Sequence, residues 1–334
     1  MTAILEFISG LLDGVALLAL ALVLGGLSCA LAVVRVLHGY HPVLHEAVQQ
    51  VLSLTLFSGV CLIGLRILQL VLKPMALMDV MGSSAFSDFS QTQVFQHGVL
   101  SILLTVGLVS AVMFVKQHVG SWIRWLLVLV LAGTYMVNEG WLSHAASRLE
   151  GGGSLMIVTM IHVLGATVWA GGIMHLLLLW RFLRKQDSTL WPELVSRFSP
   201  LGIISVSLIV VPGVYLSWQY VGGWDGLVGT GYGNMVAVKI LLFSCALVLA
   251  ALNFFTVHGW KGMQALPIMN KRVPAYIEAE IILAVGLLFT ASSLTGFPPS
   301  VDVMEDAASP AEMWTMYNPK VPRLVGPELV IIEA

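Results

Sequence analysis

The chain is built of long apolar runs separated by short polar connections. A membrane-crossing helix needs roughly 20 mostly apolar residues. Runs of that length predict eight helices, over about 11–34, 50–72, 97–116, 122–142, 156–180, 200–219, 235–256 and 275–296. Lipid offers backbone groups no partner outside their own helix, so the expected fold class is an all-α, polytopic membrane helical bundle. The first run is too long for the apolar core of a signal peptide and lacks a basic leader, so it reads as a retained helix. No internal repeat of fixed period is visible.

Two connections are long enough to carry structure of their own. Residues 73–96 join the second and third runs and contain Met75, Met78 and Met81. The tail from about 297 onward is proline-containing with an acidic start, which argues against a helix there. Its ending, VIIEA, suits a strand added to a partner or packing on neighbouring loops. The expected organisation is 1–84, the first two helices and a loop; 85–300, the main transmembrane domain; and 301–334, an extension suited to docking a partner.

Composition agrees with the pattern. Hydrophobic residues make up 58% of the 334 and charged residues only 10%, with a mean hydropathy of +0.91. Soluble domains carry about 25% charged residues. A net charge of −2 gives no reason to expect nucleic acid. Cys29, Cys61 and Cys245 all lie in apolar runs with no CxxC pair, so neither a disulfide framework nor a thiolate metal site is expected.

Basic residues set the orientation. Arg35, Lys116, Arg124, Arg181, Arg184, Lys185, Arg197, Lys261, Lys271 and Arg272 fall on one set of connections. Only Lys73, Arg148, Lys320 and Arg323 fall on the other. The first set should face the cytoplasm. Both termini then face outward, towards the periplasm in a multi-pass protein of a bacterial inner membrane.

This topology sorts the histidines. His97, His144 and His162 fall near the outer face, on three different helices. His38, His41, His45, His118 and His258 fall near the inner face. His175 stands alone, thirteen residues beyond His162, or roughly 20 Å along a helix axis. An imidazole in a membrane helix is costly unless paired, hydrated or metal-bound. Imidazole suits copper, zinc and haem iron, and thioether suits Cu(I). His97, His144 and His162 therefore form a candidate metal set, with Met75, Met78 and Met81 as a softer shell. An interfacial role for His97 and plain packing for the methionines stand beside that reading. The stretch HGYHPVLHE reads as a solvated loop. Glu139 could fix a histidine tautomer or carry a proton, or simply pair with Arg66 or Lys239. Gly171-Gly172 should admit a neighbouring helix closely. There is no GxSxG, HExxH or phosphate-binding glycine loop, so covalent enzymatic chemistry and ATP-driven pumping are not expected.

Several segments resemble one family. IHVLGATVWAGGIMHLLLLWRF resembles the membrane signature of copper-resistance D (CopD) proteins. RFSPLGIISVSLIVVPGVYLSW and LVGTGYGNMVAVKILLFSCALVLAALN resemble its next two helices, through Arg197-Phe198-Ser199, Gly213, Tyr232-Gly233, Lys239 and Asn253. SHAA at 143–146 resembles that family's G-H-A. The resemblance spans about 85–300. It implies an eight-helix inner-membrane protein that imports or handles copper, often beside a periplasmic copper chaperone, with His144 and His162 at the family's histidine positions. Departures are Ser143 for Gly, Phe254 where a basic residue is frequent, His175, and the tail beyond Val301.

Three functional readings follow. In the first, copper is taken by His144, His162 and His97 and passes inward along Glu139, Lys239 and Asn253, or goes to a membrane cuproenzyme. In the second, the chain is a b-type haem subunit passing electrons between quinone and a periplasmic partner. His97 or His144 with His162 would hold one haem, and His175 with an inner histidine another. In the third, it is a cofactor-free structural subunit docked through its tail.

Overall fold

The structure is a computed structural model. It describes residues 2–35, 42–82, 85–142, 152–259 and 266–318. Every regular element among these residues is helical. The long helices are α1 (Thr2–Cys29, continued by one π-helical turn, Ala30–Val34), α2 (Pro42–Met81), α4 (Gln93–Gln117), α5 (Trp122–Trp141), α6 (Gly152–Gln186), α7 (Trp191–Val221), α9 (Gly231–His258) and α10 (Leu266–Leu294). Short helices α3 (Ala85–Ser90), α8 (Trp224–Gly229) and α11 (Pro310–Tyr317) sit between or after them.

Seven of the eight long helices are long and apolar enough to cross a membrane. The eighth segment expected from the sequence, α5, is also a continuous helix of 20 residues. Arg124, Asn138 and Glu139 dilute its apolar character. The chain is thus an all-α polytopic bundle.

Most helices begin earlier or end later than the apolar runs imply. Local chemistry explains this. Thr92 caps α4 by accepting from the Phe95 amide, and Thr230 caps α9 by accepting from the Gly233 amide at 3.0 Å. Pro192 occupies the first turn of α7, where a missing N–H costs nothing. Gly222 and Gly259 end α7 and α9 in the left-handed region, at φ of 76° and 86°. Pro74 lies inside α2, so the connection expected at 73–96 is largely the end of that helix followed by α3.

The tail also differs from expectation. Residues 310–317 form α11, because Ser309 and Glu312 make a reciprocal capping box with Pro310 at the first position. The Ala308 amide donates to the Gly229 carbonyl at 2.9 Å. Buried Ser300 meets the Thr230 hydroxyl at 2.7 Å. The start of the tail is therefore fastened over the α8–α9 turn. The VIIEA ending lies outside the described residues.

Helix α1 is the axis of the bundle. Two-thirds of its span (67%) is buried, against 11% for α9 at the rim. It packs on α2, α6 and α10. Its closest crossing is with α6, where Gly25 meets Gly171 and Gly172, and the Gly171 Cα faces the Ala21 carbonyl. A Cβ at Gly25 or Gly171 would overlap backbone, so the crossing needs glycine on both helices. Around this axis, α2, α4 and α5 pack in sequence on one side. The pairs α6–α7 and α9–α10 pack on the other, with α5 also touching α6.

Candidate functional site

His97 opens onto a chain of polar side chains between α1, α2, α4 and α5. The Asn138 amide fixes its orientation. Asn138 Nδ2 donates to the His97 carbonyl (2.9 Å) and the Ser101 hydroxyl (2.8 Å). Its Oδ1 is then left to accept from His97 Nδ1 at 2.7 Å. His97 therefore carries its proton on Nδ1 and presents a lone pair on Nε2. Its ring lies flat on Trp141, with centroids 5.6 Å apart and planes 6° from parallel.

The chain continues through Glu139. Ser101 donates to Glu139 Oε1 at 3.0 Å, and Arg66 pairs with Oε2 at 2.5 Å. Arg66 also donates to Tyr135 Oη (3.1 Å) and Gln69 Oε1 (3.2 Å). Gln69 Nε2 then donates to Asp13 Oδ1 at 2.7 Å. These bonds compensate one another in an apolar setting, with Arg66 Nε alone of that guanidinium left without a partner, and let two opposite charges remain within the bundle. Of the partners considered for Glu139, the structure selects Arg66. Glu139 reaches His97 only through Ser101 and Asn138.

His162 lies against α7. Its Nδ1 donates to the Ile209 carbonyl at 2.9 Å, so its Nε2 also keeps a lone pair. Gly213 makes the approach possible: a Cβ there would sit 3.2 Å from His162 Cε1. Pro212, inside α7, withdraws one N–H from the helix ladder at this turn. Lys239 of α9 lies within electrostatic reach of His162.

His175 is fully buried. Its Nδ1 donates to the Gly171 carbonyl at 2.8 Å, and its Nε2 has no partner. That nitrogen faces Gly26 of α1, 2.6 Å from where a Cβ would stand, beside the Thr55 hydroxyl. The haem expected at His175 does not fit, because no porphyrin could reach Nε2 without parting α1 and α2 from α6.

The remaining expected residues scatter. His144, His38 and His41 lie outside the described residues, as do the side chains of Met78 and Met81. Met75 is exposed on α2. His45 and His118 are exposed, and His258 is exposed and stacks on Phe254 at 4.2 Å. Among the described residues, no three His, Cys, Asp or Glu side chains gather as a metal cluster.

Two positions escaped the sequence reading. Asn138 directly precedes Glu139 and carries no motif of its own. The apolar run over 275–296 predicts Glu280 near a helix start, whereas α10 begins at Leu266 and leaves Glu280 buried well inside. Trp169 Nε1 donates to its Oε1 at 3.0 Å, and Asn253 Nδ2 to its Oε2 at 3.2 Å. Asn253, expected along a pathway, is therefore the partner of a buried carboxylate. The apolar residues between Pro267 and Pro274 are too few to have signalled the earlier start.

Fold and site together define a polytopic helical membrane protein with polar side chains bonded across its helices. Residues 192–294 match the family model described as copper resistance protein D, CopD. The copper transport protein CutJ of Bacillus subtilis (strain 168) is 28% identical over 200 residues, covering 60% of this chain and 35% of that protein. The chain thus spans about a third of the length of the curated relative it matches. No solved structure matches. The similarity to copper resistance protein D thus lies in the C-terminal part of the described bundle, over less than a third of the chain. The family match includes Gly213, Lys239, Asn253 and Glu280 but begins after His97, His144 and His162.

Proposed function

We propose that the chain handles copper at the bacterial inner membrane, as a transport component rather than an enzyme of covalent chemistry. In this reading copper is the cargo, met at the outer end of the bundle by His97 and His162 with His144. The carrying observation is the shared protonation of the two described histidines. Each donates Nδ1–H to a fixed oxygen and leaves Nε2 as the free nitrogen. Metal-ligating histidines have the same arrangement, with the second nitrogen held by an outer partner. The family match and the name of the Bacillus relative support copper as the metal. The extension from residue 301 would serve docking to a copper chaperone or a cuproenzyme.

The test is copper accumulation in cells carrying His97→Ala, His144→Ala and His162→Ala, singly and together, at matched membrane levels. Loss of most copper-dependent accumulation in the triple variant is expected. Unchanged accumulation and unchanged copper-dependent growth would end the proposal.

A further inference from the structure

A cleft opens between α7 and α9, away from the His97 cluster, which lies among α1, α2, α4 and α5. Its floor is α6 and α10. Its volume is about 420 Å³, within the range of small-molecule sites. Trp169, Phe198, Phe254 and Phe255 supply four aromatic rings to the walls. Ile203, Phe254 and Phe255 are 54%, 37% and 42% exposed, so the mouth opens sideways, where the bilayer would lie.

One end of the cleft is polar. Glu280, only 3% exposed, is held by Trp169 and Asn253. Asn253 Nδ2 serves the carboxylate, and Asn253 Oδ1 is buried without a partner. A buried amide oxygen left unbonded is costly. What the polar end lacks is a donor. It stands five residues from the end of α9, about 8 Å at 1.5 Å per residue. That depth is inside the bilayer but near its surface.

A ligand suited to this cleft has an aromatic ring, a hydroxyl to donate and an apolar tail leaving through the side. We propose that the α7–α9 cleft binds a membrane quinol, its hydroxyl on Asn253 Oδ1 beside Glu280, its ring among the four aromatic side chains. The open bonding capacity is on a neutral amide oxygen, and Glu280 already holds two N–H donors, so a hydroxyl suits the site better than an ammonium. The oxidised quinone carries only acceptors. It would set a carbonyl oxygen against Asn253 Oδ1, so the cleft distinguishes reduced from oxidised ligand. This inference does not depend on the copper reading.

The experiment is saturation binding of radiolabelled decyl-ubiquinol, kept reduced, to the full chain in phosphatidylcholine nanodiscs, read by scintillation proximity. Decyl-ubiquinone, decylbenzene and decylammonium compete. Saturable binding is expected, with the quinone at least about tenfold weaker and the other two failing to displace. Asn253→Leu should weaken binding at least about tenfold. Gly202→Leu should abolish it by filling the cleft, since the nearest atom to a Cβ there is Phe198 Cε1 at 3.8 Å. Gly202→Leu leaves the polar pair intact, so it decides the matter if Asn253→Leu does not fold. Absence of saturable binding would overturn the proposal. So would equal displacement by decylbenzene, which marks a crevice for lipid tails, or stronger displacement by decylammonium. Unchanged binding in the Gly202→Leu protein would overturn it as well.

Discussion

At the residue scale, the polar side chains between α2, α4 and α5 work as a set. Asn138 joins His97 to Ser101, and so to the Arg66–Glu139 pair. Asn138→Leu removes three hydrogen bonds and leaves buried groups unpaired. It should cost about 1–3 kcal/mol, read by denaturation of the detergent-solubilised protein. Arg66→Met should be worse than Arg66→Met with Glu139→Gln, because the single change strands a charge inside the bundle. Equal losses would show that the pair is already hydrated.

At the element scale, the helices were legible because each apolar run exceeds the bilayer thickness. Their ends were less so. Caps such as Thr92 and Thr230, and prolines inside helices such as Pro74, Pro200 and Pro274, act locally and leave no mark on an apolar pattern. The candidate site was legible only as a depth. The runs placed His97 and His162 at one level, but their neighbours depend on which faces of α4, α5, α6 and α7 meet. Nothing in the apolar pattern distinguishes Asn138 from Glu139 as the partner of His97. Gly171-Gly172 was legible as a close approach, though not that α1 makes it. Gly171→Val should prevent assembly of α1 on α6, because the new Cβ falls on the Ala21 carbonyl. Gly133→Ala meets nothing within 4 Å and should be neutral or stabilise by up to about 1 kcal/mol. Yield of monodisperse protein after size-exclusion chromatography separates the two. Helix α11 has its own pH dependence. Hydrogen bonds from the Ser309 hydroxyl and amide hold the Glu312 carboxyl below the ordinary carboxylate range. That support is complete above the unfolded value and fades as pH falls through the lowered one. Amide exchange in 310–317 should quicken there before the rest of the chain responds.

At the scale of the whole molecule, the path of α5 decides topology. If α5 crosses with α4 as an antiparallel hairpin, both ends of the chain face the same side. Single cysteines at Ser121 and Asp187, in a cysteine-free background, should then be labelled from one side of the membrane, and cysteines at Gly223 and Gly296 from the other. Labelling of 121 and 187 from opposite sides would show that α5 does not span. The α1–α6 crossing also bears on how the protein is made. Helix α1 leaves the ribosome well before α6, yet the glycine surface that completes it belongs to α6. At 5–20 residues per second, the wait between Gly25 and Gly171 is about 7–30 s. During that interval the N-terminal helix must be held in the membrane without its tightest partner. Assembly should therefore be most sensitive to insertion chaperones while the segments between α1 and α6 are being made.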